Sequence, residues 1–331
     1  PPPPVSPPPS PPPPVETRVV APPGVQCGAA LACITLEEAL RYARHEAAGL
    51  VTHLHLLDGT YALGDAAATV GGRRALLSGA SEGATFDAST AAHEIHIVGG
   101  GGAVLEAAAS SMFTITAGGP HLVLSGVILT GSNKAPAIVM KGGSLELLEV
   151  TFESNPAGAI QIEGDATVEA RECTFVSNGV SNGRPSLAEG GGAILALGGQ
   201  MTMAACVLSD NVAADGGALL ARGTASVAVS HSRFEGNHAS KRGGAMAILE
   251  SARVALANQT VLVANRAPSG SSIFRDGEVS RATYILPTPP GHWVADTIRC
   301  GDSTVAHAAE CTPELAGAYL KLLPHGATDD Y

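Results

Sequence analysis

One short phrase recurs through the middle of the chain and limits the folds available to it. The phrase is an apolar or small residue, one spacer, Phe or Leu, two spacers and Asn, usually followed within a few residues by Gly-Gly-Ala. Its copies end at Asn155, Asn178, Asn211, Asn237 and Asn265, and a degenerate copy ends at Ser132. The Phe or Leu positions lie 23 to 33 residues apart. Because a unit of this length cannot bury its own apolar face, it must stack on its neighbours. The repeat predicts a solenoid.

Alternating apolar residues predict the strands of each coil and the rows in which their side chains stack. The first strand of the coils gives two predicted inward rows: Leu54, Ile95, Leu122, Leu145, Val168, Met201 and Val227, and then Leu56, Ile97, Leu124, Leu147, Ala170, Met203 and Val229. A second strand after each Gly-Gly-Ala gives a third row: Ile138, Ile160, Ile194, Leu219 and Met246. The glycines permit tight turns between strands, and stacked Asn side chains can satisfy backbone groups there.

A short helix is predicted ahead of the first coil. Thr35 and Glu38 form a capping-box pattern, and a Gly closes the segment at Gly49. An alternating strand follows from Val51 to Tyr61. Since an open solenoid end would expose its core, we expect this helix to act as a cap.

The repeat and the cap resemble a known family. The segment TLEEALRYA with LHLLDGTYAL resembles the first coil of pectate-lyase-like domains, and the FxxN and GGA phrases resemble repeats of chlamydial polymorphic outer-membrane proteins. On these residues, about 51–285 resembles the right-handed parallel β-helix. The resemblance implies an all-β solenoid and says little about activity.

The chain starts with PPPPVSPPPSPPPP, which predicts a polyproline II rod. A cytosolic ligand for Pro-binding modules is the alternative to an extracellular stalk, which the composition favours. The rod resembles hydroxyproline-rich glycoproteins of green-algal walls, matrix and flagellar hairs of the mastigoneme type. That resemblance implies hydroxylation and O-glycosylation at Pro1, Pro2, Pro3, Pro4, Pro7, Pro8, Pro9, Pro11, Pro12, Pro13 and Pro14. Residue 1 is Pro rather than Met, so we expect a processed or partial chain.

These features divide the chain into four predicted regions. They are a Pro-rich rod or linker at 1–24, an N-terminal cap with a helix at 25–50, a parallel β-helix at 51–285, and a Cys-containing C-terminal cap or tail at 286–331.

Six cysteines occur in two contexts. Cys27 and Cys33 near one end, and Cys300 and Cys311 near the other, predict local disulfides and an oxidising compartment. Cys173 and Cys206 occupy the same slot of consecutive repeats. There a stacked pair of buried free thiols is favoured over a disulfide, and both are favoured over a metal site.

Composition and patterning argue against several functions. A net charge of -11 argues against nucleic-acid binding, and no apolar run approaches the roughly 18 to 20 residues needed to cross a bilayer. The outward positions of the first strands lack the two-carboxylate arrangement that glycosidic cleavage requires. The sequence therefore predicts no catalysis and no cofactor.

Three candidate sites remain. His53, His55, Glu94, His96 and His121 should lie within two or three coils of one another and could bind Zn²⁺, although a polar strand face without metal is favoured. Leu195, Leu197, Leu220 and Leu249 should point outward and could form a partner interface, unless a loop or a misjudged register covers them. Asn258 begins the N-glycosylation sequon Asn-Gln-Thr.

Together these patterns predict an extracellular structural glycoprotein of a wall, matrix or flagellar-surface fibril. Its expected partners are copies of itself or other Pro-rich extracellular glycoproteins. A carbohydrate-binding or adhesive module is the alternative, and a polysaccharide lyase or hydrolase is the third possibility.

Overall fold

The structure is a computed structural model that describes residues 13–24, 33–63, 84–107, 111–179, 190–257 and 260–275. It also describes the backbone of short strands at 69–70, 73–74, 180–181, 184–185, 298–300 and 303–304.

One helix and seven strands are described in the N-terminal region. They are β1 (Val15–Val20), β2 (Cys33–Ile34), α1 (Leu36–His45), β3 (Val51–Leu56), β4 (Gly59–Leu63), β5 (Thr69–Val70), β6 (Arg73–Arg74) and β7 (Ala84–Phe86).

The middle coils begin with two long strands and continue with short ones. They are β8 (Glu94–Ala107), β9 (Phe113–Ile115), β10 (His121–Thr130), β11 (Ile138–Met140), β12 (Ser144–Leu148), β13 (Thr151–Glu153), β14 (Ile160–Ile162), β15 (Thr167–Arg171), β16 (Thr174–Val176), β17 (Val180–Ser181) and β18 (Arg184–Pro185).

The later coils follow the same order. They are β19 (Ile194–Ala196), β20 (Gln200–Ala204), β21 (Val207–Ser209), β22 (Val212–Asp215), β23 (Leu219–Ala221), β24 (Ser226–Ser230), β25 (Arg233–Glu235), β26 (His238–Arg242), β27 (Met246–Ile248), β28 (Arg253–Ala257), β29 (Val261–Val263), β30 (Ile273–Arg275), β31 (Ile298–Cys300) and β32 (Ser303–Thr304).

The coils stack in parallel along three main faces. Face 1 contains β3, β12, β15, β20, β24 and β28, and face 2 contains β4, β13, β16, β21, β25 and β29. Strands β8 and β10 run around the corner and belong to both faces. Face 3 runs in the order β7, β9, β11, β14, β19, β23, β27, β30 and β31. The predicted parallel solenoid is confirmed.

Most of the predicted rows are confirmed. On face 1, Leu122 is in register with Ile95 and Leu145, and the row continues through Val168, Met201 and Val227. On face 3, the predicted row from Ile138 to Met246 continues to Ile273. Like side chains therefore pack on like at the strand spacing of about 4.8 Å.

The predicted rows are wrong at the first coil. Leu54 is in register with Ile97, and Thr52 is in register with Ile95. Thr52 is buried and points inward, but it is polar. A prediction from apolar alternation therefore starts the inward row at Leu54, two residues too late. A slip of two residues keeps every side chain on the same side of the sheet, and alternation alone cannot detect it.

The predicted boundary of the Pro-rich linker also needs correction. Val15–Val20 forms β1, which pairs in parallel with β3 over its whole length. The solenoid therefore begins at Val15 and not at Val51. The sequence predicts a linker up to residue 24 because no turn residues separate the prolines from the strand Val15–Val20.

Helix α1 covers the N-terminal end of the core, as predicted. Thr35 Oγ1 accepts a hydrogen bond from the Glu38 backbone amide, and the Glu38 carboxylate accepts from the Thr35 backbone amide. One face of the helix is buried. At its edge the Arg18 guanidinium lies 3.4 Å from the Tyr42 ring centroid and pairs with Glu16 at 2.7 Å.

The repeated Phe and Asn positions form two internal columns. Phe152 and Phe175 stack with ring centroids 4.9 Å apart, and Leu208, Phe234 and Leu262 continue that column. Beside it, each Asn side chain bonds to neighbouring coils. From Asn178 onward, each Oδ1 accepts from the backbone and side-chain amides of the Asn in the preceding coil, and Asn155 Oδ1 accepts from the Ser132 backbone amide. Each Nδ2 also donates to the carbonyl oxygen of the Phe or Leu in the preceding coil. We call this column, from Asn155 to Asn265, the Asn ladder.

The Gly-Gly phrase is required where face 3 begins. Gly216 has φ +62°, and a Cβ on Gly217 would lie 2.1 Å from the Gly244 carbonyl oxygen of the next coil. Since a real Cβ cannot come so close to a backbone atom, only Gly fits between the stacked turns.

Candidate functional site

The outer side of face 1 carries a strip of polar side chains along five successive coils, from β3 to β15. We define the polar strip as His53, Glu94, His96, His121, Ser144, Glu146, Glu169 and Arg171. Alternation places these residues outward, because their neighbours in the same strands face the core. All but Arg171 are half-buried.

Two histidines stack at the N-terminal end of the strip. His53 is in register with His96, and the two ring centroids lie 4.3 Å apart. His96 Nε2 lies 2.8 Å from Glu94 Oε1. Burial lowers the pKa of His53, the neighbouring His96 and His55 lower it further, and Glu94 opposes them. This environment therefore favours the neutral form of the His53 imidazole.

The rest of the strip is a chain of hydrogen bonds and ion pairs. His121 Nδ1 lies 2.7 Å from Ser144 Oγ, and its Nε2 lies 3.8 Å from Glu146 Oε2. The Arg171 guanidinium donates to Glu146 at 3.2 Å and also to Glu169. The sequence analysis does not identify Arg171, because Arg171 is the last residue of β15 and lies beyond Val168 and Ala170, the two positions of this strand that the predicted rows include.

The predicted histidine and glutamate cluster is only partly assembled. His53 and His96 stack, and His55 lies beside them with its ring centroid 6.3 Å from that of His53. His121 bonds to Ser144 and Glu146 instead. Within the described ranges, no three His, Cys, Asp or Glu side chains are arranged so that they could hold a metal ion.

The leucines predicted to be exposed are largely covered. Leu220 is 5% exposed and Leu249 9%, and both pack with Ala247 and Phe274. A Cβ on Gly190 would lie 2.1 Å from Leu220 Cδ2, so the chain at Gly190 passes directly over Leu220. The prediction of an exposed patch is wrong for these two residues.

Leu195 and Leu197 remain accessible. Leu195 is half-buried, and Leu197 is 36% exposed. An apolar surface this small does not need a partner to explain it.

The central cysteines form a buried pair. Cys173 and Cys206 are free and about 1% exposed, and their Sγ atoms donate to the Arg171 and Ala204 carbonyl oxygens. A hydrogen bond with Cys206 and burial both raise the pKa of Cys173. The stacked pair of thiols, favoured from the sequence, is the arrangement found.

Several predicted positions lie outside the described side chains. These are Cys27, Cys300, Cys311, Asn258 and the prolines from Pro1 to Pro12. Cys33 is disulfide-bonded, and its partner lies among the residues whose side chains are not described. The pairing of Cys33 with Cys27 stays a prediction.

A short fourth side was not predicted. Strands β22 and β26 pair in parallel, and Arg242 donates to both carboxylate oxygens of Asp215 at 2.7 and 3.0 Å. This side exists because the first glycine after the Asn comes five residues later at Asn211 and six residues later at Asn237, but only three residues later at Asn155. That difference was the available signal.

Comparison with known proteins decides the family. Residues 93–268 match the family described as the right-handed beta helix region, which covers just over half of the chain. The chain belongs to the right-handed β-helix family. No curated protein and no solved structure gives a significant match to this β-helix.

The β-helix family includes lyases, hydrolases and proteins without catalysis, so membership leaves the activity open. None of the helices in the described part of this β-helix is long and apolar enough to cross a membrane.

Proposed function

We propose that this β-helix is a structural building block of an extracellular fibril, wall or matrix, and that it performs no catalysis. In this proposal the polyproline segment is a glycosylated rod, as its resemblance to hydroxyproline-rich glycoproteins implies, and Asn258 carries an N-linked glycan.

The Asn ladder is the observation on which the proposal depends. Asn155 to Asn265 connect five successive coils, and the bonds between their side chains measure 2.9 to 3.0 Å. Each bond is fully buried, where leaving it unmade costs about 1–3 kcal/mol. Bending or opening the solenoid between two coils would break such bonds. A continuous ladder therefore favours a stiff rod, which is the mechanical property that a fibril subunit needs.

The polar strip supports a role without catalysis. Glu146 and Glu169 both pair with Arg171, and Glu94 bonds to His96. Each of these carboxylates already has a partner on the protein, whereas a catalytic carboxylate must be free to contact the substrate. The strip thus resembles a set of mutually satisfied surface groups more than a two-carboxylate site.

The disulfide-bonded state of Cys33 supports an extracellular location. Disulfides persist in oxidising compartments and are rare in the cytosol.

Imaging of the native material tests the proposal. Extracellular matrix or fibrils from the source cells would be labelled with an antibody against residues 94–275 and viewed by cryo-electron microscopy. We expect periodic labelling along filaments. Labelling confined to soluble, dispersed molecules would contradict the proposal.

An activity assay supplies the second arm. The purified chain would be incubated with pectin-like and mannan-like polymers, and reducing ends and unsaturated products would be measured. We expect no increase over a heat-unfolded control. Sustained product formation that His96→Ala or Glu146→Gln abolishes would instead favour an enzyme.

A carbohydrate-binding module is the second candidate, and the stacked His53 and His96 rings favour it. Ring faces and neighbouring carboxylates can bind the apolar face and the hydroxyl groups of a sugar. Saturable glycan binding in calorimetry that His96→Ala removes and His231→Ala retains would support this function. His231 is exposed on a distant coil and serves as the matched control.

A further inference from the structure

Charged residues are distributed unevenly along the solenoid axis. Residues 94–180 contain nine Asp or Glu and three Lys or Arg, whereas residues 190–275 contain four Asp or Glu and seven Lys or Arg. The formal net charges are -6 and +3. We call these segments the acidic half and the basic half. Because the coils stack in sequence order, the two segments occupy successive parts of the rod.

Ion pairs inside the basic half use up most of its carboxylates. Glu250 pairs with Arg222, Glu235 with Arg233, and Asp215 with Arg242. Three exposed cations of this half form no salt bridge with any described carboxylate: Lys241, Arg253 and Arg266. The basic half therefore presents unneutralised positive charge to solvent.

The acidic half shows the opposite excess. Its Arg171 is already shared by Glu146 and Glu169. Five exposed carboxylates of this half form no salt bridge with any described cation: Glu106, Glu149, Glu153, Asp165 and Glu172.

The two halves are far enough apart to act separately. Each half spans three or four coils, which is about 15–20 Å at a strand spacing of about 4.8 Å. Salt screens charges over about 8 Å at physiological ionic strength. An approaching molecule therefore meets two opposite charged zones and not their average.

We propose that two copies of this chain associate side by side in opposite directions, with the basic half of each against the acidic half of the other. This inference rests on the proposed function and names the contact between subunits. The antiparallel arrangement satisfies both pairs of zones at once, as a twofold contact does. Parallel copies in register would place like charge against like charge, which costs free energy.

A second copy fits these charges better than an anionic polymer. A polymer of uronates lying along the rod would meet the acidic half within about 20 Å of the cations that attract it. A second copy of this chain instead offers an acidic half and a basic half of the same lengths as those it would contact. The C-terminal region 276–331 contains eight Asp or Glu and three Lys or Arg, and the test below distinguishes its binding to the basic half from association of two copies.

Charge reversal tests the proposal on the full chain. One variant combines Lys241→Glu, Arg253→Glu and Arg266→Glu, which changes the net charge of the basic half from +3 to -3. A second combines Glu149→Lys, Glu153→Lys, Asp165→Lys and Glu172→Lys, which changes that of the acidic half from -6 to +2. All seven side chains are exposed, so thermal melts followed by circular dichroism should match the wild type. Sedimentation equilibrium would measure association at 20 and 300 mM salt.

We expect the wild-type chain to dimerise at low salt, with an affinity at least tenfold weaker at 300 mM. Each variant alone should lose at least tenfold in affinity at low salt, because both of its halves then carry the same sign. An equimolar mixture of the two variants should recover association, since one is acidic and the other basic along the rod.

Three results would overturn the proposal. The first is a wild-type chain that is monomeric at 20 mM salt, as expected if region 276–331 occupies the basic half. The second is an association that neither salt nor charge reversal alters. The third is binding of a polyuronate by a chain that does not self-associate. Each leaves the filament imaging unaffected, because the polyproline rod could build a fibril without this contact.

Discussion

The backbone amide and the side-chain amide of Asn211 both donate to Oδ1 of Asn237 in the next coil, at 3.0 and 2.9 Å. One oxygen thus accepts two hydrogen bonds from a single residue. The same relationship recurs between consecutive members of the Asn ladder. Each Asn therefore joins the coil before it to the coil after it.

Asn211→Ala should destabilise the fold by about 3–5 kcal/mol, because several buried groups lose their partners together. The Asn178 backbone and side-chain amides lose their acceptor, and the Phe175 carbonyl loses its donor. Urea unfolding followed by circular dichroism would measure the change. Asn133→Ala is the control, since Asn133 is exposed and its replacement should stay within about 0.5 kcal/mol. Equal midpoints for both variants would refute a stabilising role for the ladder.

The repeating part of the fold could be predicted because the recurring phrase shows which residues of successive coils occupy equivalent positions. Phe152 and Phe175 occupy matching positions of two phrases, and a solenoid places matching positions in one column. The same reasoning gave the face 3 row and the buried cysteine pair.

The parts that could not be predicted depend on features without a period. Thr52 occupies an apolar row and so shifted the predicted register of β3. The chain near Gly190 covers Leu220 because an insertion follows Asn178, and a sequence does not show where an insertion folds back. Alternation places Glu146 and Arg171 on the outer side of face 1, but it does not show that these two side chains pair with each other across two coils.

Ser272→Ala should stabilise the protein by about 1 kcal/mol, because the buried Ser272 hydroxyl has no hydrogen-bond partner among the residues that the structure describes. Ser272 follows Ala245 in a column that alanine otherwise fills from coil to coil. Its backbone carbonyl accepts from Ala245 and Met246 and would be unchanged. Thermal unfolding measures the shift. The reciprocal Ala245→Ser should lower stability by about 1–3 kcal/mol, and a stabilising Ala245→Ser would contradict the argument.

Ala205→Gly should also stabilise the protein, by about 0.5–1 kcal/mol. Ala205 has φ 55°, a left-handed conformation that costs a residue with a Cβ about 1–2 kcal/mol. Gly126 occupies the equivalent turn of an earlier coil with φ 60°. Ala204→Gly is the adjacent control within β20, where glycine should destabilise by about 0.5–1 kcal/mol. Chemical denaturation of both variants would show opposite signs; a loss of stability in both would exclude strain at Ala205.

Acidification should weaken the N-terminal coils through His53. Its pKa is lowered by burial first and by His96 and His55 next. The folded state therefore binds a proton less readily than the unfolded chain. The contribution of His53 to stability is complete above its ordinary pKa of 6.5 and is lost as the pH falls through the lowered pKa. Titration of the His53 ring proton by NMR, together with unfolding at pH 7.5 and 5, measures both effects.

His96→Gln separates the two causes of that shift. Removing the stacked imidazole eliminates one source of repulsion, so the pKa of His53 should rise toward 6.5. It should not reach that value, because burial is the larger cause and persists beneath the substituted side chain. His231→Gln, on a distant coil, should leave the His53 titration unchanged. A His53 titration that His96→Gln does not move would show that the two rings do not interact as this geometry requires.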